Sequence, residues 1–310
     1  MAQTTSATTL AHQANVLGSL VIDMLREDHF IYTYFKNASV IGGTDEYKNQ
    51  GNVLDIAIKQ RLTAVDRVEG TPLTPTTYTG GKVQLVLDHA KAVPLDLTMQ
   101  ALQKSKFDLV AMTKDSAMEA LRDAFETEFL KDIATDAGIA AGNKLTKAAA
   151  DFGTVAFFNE INKRMFKSRA PKGVRKVVIL DPDDYEVAMN NVDLVGWEKT
   201  GSKEDAELNG EFILPRLGFY IRRSNFLYTN TVSTKKVRIA MTEDSACMAS
   251  AMPGELFTSV SEDIVDPQGN FNFRISAQGS VFGGSNQMAI DTLFGSKVYR
   301  PENVFLIEDV

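Results

Sequence analysis

The run Glu207-Leu208-Asn209-Gly210-Glu211-Phe212-Ile213, continued by Leu217-Gly218-Phe219-Tyr220-Ile221 and Ser224-Asn225-Phe226-Leu227, sets a glycine before each of two apolar segments. Each glycine breaks the segment before it, and the β-rich residues after it start a new one, which predicts strands around Phe212 and Phe219. A polar loop, 196–209, leads into the run, and a further strand-like segment lies at 237–241. Immediately upstream, 174–180 reads as a buried strand, and Asp181-Pro182-Asp183 as the cap of a short helix ending at Asn190.

Working further outward, 154–169 has helical spacing, with Val155, Phe158, Ile161 and Met165 inward and Lys163, Arg164, Lys167 and Arg169 near its end, where cations suit the helix dipole. Pro171 and Gly173 stop it. An alanine-rich joint at 148–150 separates it from the strongest helical pattern in the chain, opened by Ser105-Lys106-Phe107-Asp108 and closed near Gly138 and Gly142. This helix should run about thirty residues, roughly 45 Å. Val110, Ala117, Leu121, Ala124 and Phe125 form its apolar stripe, interrupted by Lys114; Glu119, Arg122, Asp123 and Glu126 lie opposite.

Before that helix the period changes to two. Leu54, Ile56 and Ile58 alternate with Asp55, Ala57 and Lys59, and Val83, Leu85 and Leu87 with Gln84, Val86 and Asp88. Between these strands, 70–81 is rich in proline, glycine and threonine. The pair is a long ribbon, too little structure to be stable alone, so it must lie on its own body or on a neighbouring subunit. The first nine residues are small and polar, a flexible arm; Val16, Leu17, Leu20, Val21, Met24 and Leu25 come next as a short amphipathic helix. The last fifty residues alternate again through Phe271, Phe273, Ile275 and Val298 and end in a strand at 304–307. Strands frame helices without a repeating strand-helix-strand unit, which is an α+β pattern.

Composition narrows the function. The chain has 310 residues, 44% hydrophobic and 24% charged, with a net charge of −7, a balance that disfavours sequence-reading DNA proteins. No basic region precedes an apolar run at the start and no stretch is long enough to span a membrane, which predicts neither secretion nor insertion. The single cysteine, Cys247, excludes an internal disulfide. The histidines are His12, His29 and His89, none beside a nucleophile in sequence, and surface or hinge positions are expected for them. Asp181-Pro182-Asp183-Asp184 lacks the spacing of a calcium loop, and helix capping is the better reading; Asp263 and Asp266 lie in a turn with Pro267 and Gly269. The glycine pairs Gly42-Gly43, Gly80-Gly81 and Gly283-Gly284 lack the lysine of a phosphate loop. Arg222-Arg223 and Lys235-Lys236 read as solvated strand faces or subunit contacts, not as a nucleic-acid stripe. No catalytic residue, cofactor or metal site is expected. Trp197, alone in a polar loop, predicts a contact with another subunit or a fold back onto its own domain.

The 207–227 run resembles a run found in the HK97-fold major capsid (coat) proteins of tailed double-stranded DNA bacteriophages. The segment ending Val93-Pro94-Leu95-Asp96-Leu97-Thr98 is similar to that family's passage from extended loop to spine helix. Phe294-Gly295-Ser296-Lys297-Val298-Tyr299-Arg300-Pro301-Glu302 resembles its Tyr-Gly-x-Lys-Val-x-x-Pro-Glu closure, with phenylalanine for tyrosine. The resemblance covers nearly the whole chain. It implies an N-terminal arm at 1–45, an extended β-ribbon loop at 46–90, a peripheral domain with a long spine helix at 91–150 and 257–310, and a central axial domain at 151–256. It implies a structural subunit that assembles through pentamers and hexamers into an icosahedral head around double-stranded DNA, in the virion, after assembly in the bacterial host cytoplasm.

The implied partners are copies of itself, portal and decoration proteins, a separate scaffolding protein or none, and packaged DNA by non-specific contact. The intersubunit contacts expected at the loop tip are Val68, Thr71, Leu73, Thr74, Thr76, Thr77 and Tyr78. Lys59 and Lys82 carry no motif that marks a covalent cross-link. An encapsulin-type compartment, built on the same fold, is the near rival, although the threonine-rich start resembles a cargo-docking helix less well. An enzyme assembled from Asp181, Asp183, Glu243 and Asp244 is the distant one.

Overall fold

A computed structural model describes residues 36–37, 53–58, 64, 66, 81–98, 109–170, 173–191, 211–214, 218–251, 260–265, 272–280 and 285–310. Its strands are β1 (Lys36–Asn37), β2 (Val53–Ile58), β3 (Gly81–Val86), β4 (His89–Thr98), β5 (Lys144–Lys147), β6 (Lys176–Leu180), β7 (Glu211–Leu214), β8 (Phe219–Arg223), β9 (Arg238–Thr242), β10 (Ala246–Ala251), β11 (Val260–Val265), β12 (Asn272–Ser280), β13 (Ser285–Val298) and β14 (Val304–Asp309). The α-helices are α1 (Leu109–Thr135), α2 (Val155–Lys167) and α3 (Pro182–Asn190). The α+β expectation stands.

Two six-stranded sheets and one ribbon organise the described residues. The first sheet runs β1-β10-β13-β12-β11, with β4 along the other edge of β13; the second runs β5-β14-β9-β6-β8-β7; β2 and β3 form the ribbon. In the first sheet β13 is the common strand. β4 pairs with it from Ser285 to Phe294, while the opposite edge passes from β12, whose register ends at Asp291, to β10, whose register begins at Leu293.

The second sheet is buried on both faces, and its alternation sorts residues between two cores. Val177, Ile179, Ile239, Met241, Val304 and Leu306 face α1 and the first sheet. Val178, Leu180, Ala240, Phe305 and Ile307, the residues between them, face α2 and α3. A continuous apolar run is what a strand covered on both sides requires. Thr154 caps α2, accepting from the Phe157 amide at 3.3 Å, and Phe158, Ile161 and Met165 are buried as expected. Each such side chain contributes on the order of 1.5–3 kcal/mol.

The turn expected at Asp263 is part of strand β11, where Asp263 pairs opposite Arg274, and three further expectations need correction. Helix α1, 27 residues long, buries more than one stripe: its buried positions between Ala117 and Leu130 sweep about 220° of the helix circumference at 100° per residue. The cause is that both sheets pack against it. Glu126, expected on the solvent side, is therefore 4% exposed and accepts a 2.5 Å hydrogen bond from the Ser224 hydroxyl. Second, Asp181 occupies the N-cap position of α3 without a side-chain cap bond; its carboxylate faces Lys236 instead, at 2.5 Å. Third, Lys235-Lys236 is not simply a solvated face, because Lys235 also donates to the Val310 carbonyl.

Sheet membership crosses the expected domain limits: β5 and β14 hydrogen-bond into the sheet of β6, β8 and β9, and β10 belongs to the sheet of β13. The arm helix at 16–25, the capping segment 105–108, Phe271 and Asp266 lie outside the described residues.

Candidate functional site

The ribbon is the one long projection the sequence announces, and its root is where structure and candidate function meet. β2 and β3 pair antiparallel from Val53↔Val86 to Ile58↔Gly81. Alternation puts Leu54, Ile56, Leu85 and Leu87 on one face, buried against Cys247 and Ala249 of β10, with Leu293 and Tyr299 beside them. Of the two supports open to the ribbon, its root uses its own body. Small residues on β10 let the ribbon settle close, and Gly295 on β13 lets its backbone pass: a methyl group there would overlap the Val86 carbonyl. On the outer face Lys82 bonds Asp55 at 2.7 Å and lowers that carboxyl's pKa.

The strand leaving the ribbon is clipped to α1 by a row of charges. Glu128 and Asp132 of α1, and Asp136 just past its end, recur every four residues and lie in line along one side. Lys91 of β4 and Lys131 reach Glu128 at 2.9 and 3.0 Å. His89 Nε2 lies 3.0 Å from Asp132 Oδ2, the oxygen that also accepts from the Ser296 hydroxyl at 2.6 Å. Lys297 reaches Asp136 at 2.7 Å. The Lys91 ammonium, with Lys131, holds the Glu128 carboxyl at a pKa of about 2. His89 is thus no surface residue: its side chain is 18% exposed and its ring lies 5.3 Å from that of Phe294. The four-residue spacing of the acids was visible in the sequence; their partners, about 40 and 160 residues away, were not.

Elsewhere several of the candidate chemical groups are paired within the fold. Asp184 and Arg238 form a buried pair at 2.6 Å, with the guanidinium 4.4 Å from the Phe152 ring centroid. Burial raises the Asp184 carboxyl despite that partner, as expected where desolvation outweighs attraction. Asp181 pairs with Lys236, Asp183 is exposed, and Asp244 lies 4.0 Å from Arg300. Burial pushes the Cys247 thiol up to about 12, and its sulfur lies 3.5 Å from the Lys297 carbonyl. Among the described residues no group of three or more His, Cys, Asp or Glu is placed to hold a metal ion, and no helix is long and apolar enough to cross a membrane. His12, His29, Lys59, the tip residues Val68, Thr71, Leu73, Thr74, Thr76, Thr77 and Tyr78, and Trp197 lie outside the described residues.

No family model and no curated protein matches the chain. Solved structures do. One from Mycobacterium phage Che8 superposes with a TM-score of 0.60 at 18% identity, covering 90% of this chain and 91% of that one. The cyanophage Pam1 capsid asymmetric unit gives 0.59 at 14%, covering 89% and 88%. The chain has the fold of phage capsid subunits. A virus-like particle from Pyrococcus furiosus shares this capsid fold as well, with a TM-score of 0.56 at 12% identity over 95% of this chain and 98% of that one. The resemblance read from the 207–227, 83–98 and 294–302 segments thus holds for the fold. In a chain with the capsid fold, the ribbon root and the charge row form the candidate site because they fasten β2, β3 and β4 to the body.

Proposed function

We propose that this chain is a major capsid protein, a structural subunit that assembles through pentamers and hexamers into an icosahedral phage head enclosing double-stranded DNA. The observation that carries the reading is end-to-end likeness: phage capsid structures overlap most of this chain and most of themselves. Its physical counterpart is a ribbon whose root is fastened at Leu54, Ile56, Leu85 and Gly295, so that contacts made at the tip would be transmitted to the body. On this reading the tip residues 68–78 and Trp197 touch neighbouring subunits, no residue performs turnover, and scaffolding, portal and decoration proteins and packaged DNA are the other partners. A shell forms in the host cytoplasm and ends in the virion.

An encapsulin-type compartment is the second reading, supported by the near-complete overlap with the virus-like particle. Sedimentation and negative-stain microscopy of the purified protein test the first: capsomers, shells or tubes are expected, and a strictly monomeric chain at every concentration and salt would falsify it. The contents of particles made in cells carrying the phage genes separate the two readings, nucleic acid for a head and a protein cargo for a compartment.

A further inference from the structure

Where α2 ends and β6 begins, a cleft of about 450 Å³ opens among Met165, Phe166, Val174, Arg175, Lys176 and Tyr220. Sites for small ligands span roughly 300–1,000 Å³, so this one has room for a single small group. Phe166 stands 58% exposed on its rim. The Lys176 ammonium lies 4.7 Å from the Phe166 ring centroid and 5.4 Å from that of Phe219, and it donates to Asn162 Oδ1 at 2.6 Å. The Arg175 guanidinium lies 5.5 Å from the Tyr220 centroid. Burial lowers the pKa of the Lys176 ammonium, and an anion placed beside it would offset that desolvation.

From 161 to 180 the chain has seven basic residues and no acidic one, in a protein whose net charge is −7. The helix dipole accounts for Lys167, and for Arg164, which Glu160 holds at 2.9 Å. It does not account for Arg175, which lines the cleft and is exposed, or for Arg169. Arg169 follows the C-cap Ser168 with φ of +60°, and the Arg169 and Ala170 amides close back on the Phe166 and Met165 carbonyls. Glycine is the usual occupant of this position. An arginine held there against its conformational preference points to a use for its side chain.

An exposed aromatic ring and several cations around one small cleft match a ligand that is planar and aromatic at one end and anionic at the other. A nucleotide has that chemistry: bases stack on aromatic rings and on guanidinium planes, while lysine and arginine take the phosphates. A duplex keeps its bases stacked inside and offers the cleft phosphates alone, which leaves Phe166 without a use. Lys167 and Arg169, exposed and outside the cleft lining, carry the positive surface further than one phosphate needs. A strand therefore fits better than a free nucleotide.

We infer that the Phe166 cleft holds one unpaired nucleotide of a single-stranded nucleic acid, its base against Phe166 and its phosphate against Arg175 and Lys176, with Lys167 and Arg169 meeting the neighbouring phosphates. The inference goes beyond the shell reading, which requires no such cleft. The test is fluorescence anisotropy of the full-length protein, assembled and dissociated, with a labelled deoxythymidine strand of about ten nucleotides; unlabelled strand, duplex of the same length and adenosine monophosphate serve as competitors. The strand should compete best. Phe166→Ala should weaken binding about tenfold and Phe166→Trp restore it, with calorimetric melting unchanged in both because the ring is exposed. Arg175→Gln and Arg169→Gly should each reduce the salt dependence of log Kd by about 0.7, and Arg169→Gly, which relaxes the backbone, should keep or raise the melting temperature as it does so. Binding that survives Phe166→Ala undiminished overturns the inference, as does a duplex or a free nucleotide that competes as well as the strand. Sedimentation of the same preparations keeps the two readings apart: normal shells from a protein that binds no strand in either state overturn this inference alone, and strand binding by a chain that never forms particles overturns the shell reading alone.

Discussion

Gly295 runs so close beneath Val86 that a Cβ on it would overlap the Val86 carbonyl oxygen and stand 3.0 Å from the Leu87 Cα. Backbone cannot give way as a flexible side chain can. Gly295→Ala should therefore lift the ribbon root from β13, lowering stability by about 1–3 kcal/mol in urea unfolding and speeding proteolysis between 59 and 80. An unchanged midpoint and cleavage rate would show that the ribbon is not fastened there.

Ser224 and Glu126 meet in the core between α1 and the second sheet. Ser224→Ala removes a donor from a buried carboxylate, and a loss of about 1–3 kcal/mol is expected. Glu126→Gln, which keeps the shape and an acceptor oxygen, should cost less. The comparison of the two denaturation curves is the check.

Acid should release the clip between β4 and α1. The Glu128 carboxyl has a pKa of about 2 in the folded chain against an ordinary value of 4.5. A depressed acid stabilises the fold above its unfolded pKa, and that stability is lost as pH falls from about 4.5 through 2. After solvent screening the contribution is on the order of 1–2 kcal/mol. Melting of Glu128→Gln should accordingly decline less between those pH values than melting of the wild type; parallel declines would remove Glu128 from the acid response.

Replacing 68–80 by a short Gly-Ser turn should leave the subunit's melting temperature nearly unchanged, since shortening a surface loop has a small closure cost. Assembly should fail or stop at capsomers. Normal shells from the shortened protein would show that the tip is not an intersubunit clasp, and unfolding would place it in the subunit's own core.

Legibility in the sequence tracks which interactions are local. The alternation of Leu54, Ile56 and Leu85 announced the ribbon, and the spacing of Phe158, Ile161 and Met165 announced α2. β10 went unread because Ala246, Cys247, Met248, Ala249 and Ser250 carry no β-branched side chain; its strand identity comes from pairing with β13 and from the ribbon above it. Glu126 was misplaced, and the partners of His89 went unread, because two sheets and a helix distant in sequence decide their burial. The tip residues and Trp197, named from composition and resemblance, lie outside the described residues.

The handover on β13 also determines how load travels. β12 ends its pairing at Asp291 and β10 begins at Leu293, both on one edge, while β4 spans the junction on the other. The ribbon root on β10 and the β11–β12 hairpin are consequently connected in series, through the leaf made of β13 and β4. The hydrogen-bonded route from the ribbon root to the hairpin therefore runs along β13 across the Asp291–Leu293 junction, where β4 alone bridges both stretches. A chain wired in this way has, at Thr292, a single residue of β13 across which ribbon and hairpin are joined in the hydrogen-bond ladder only through β4.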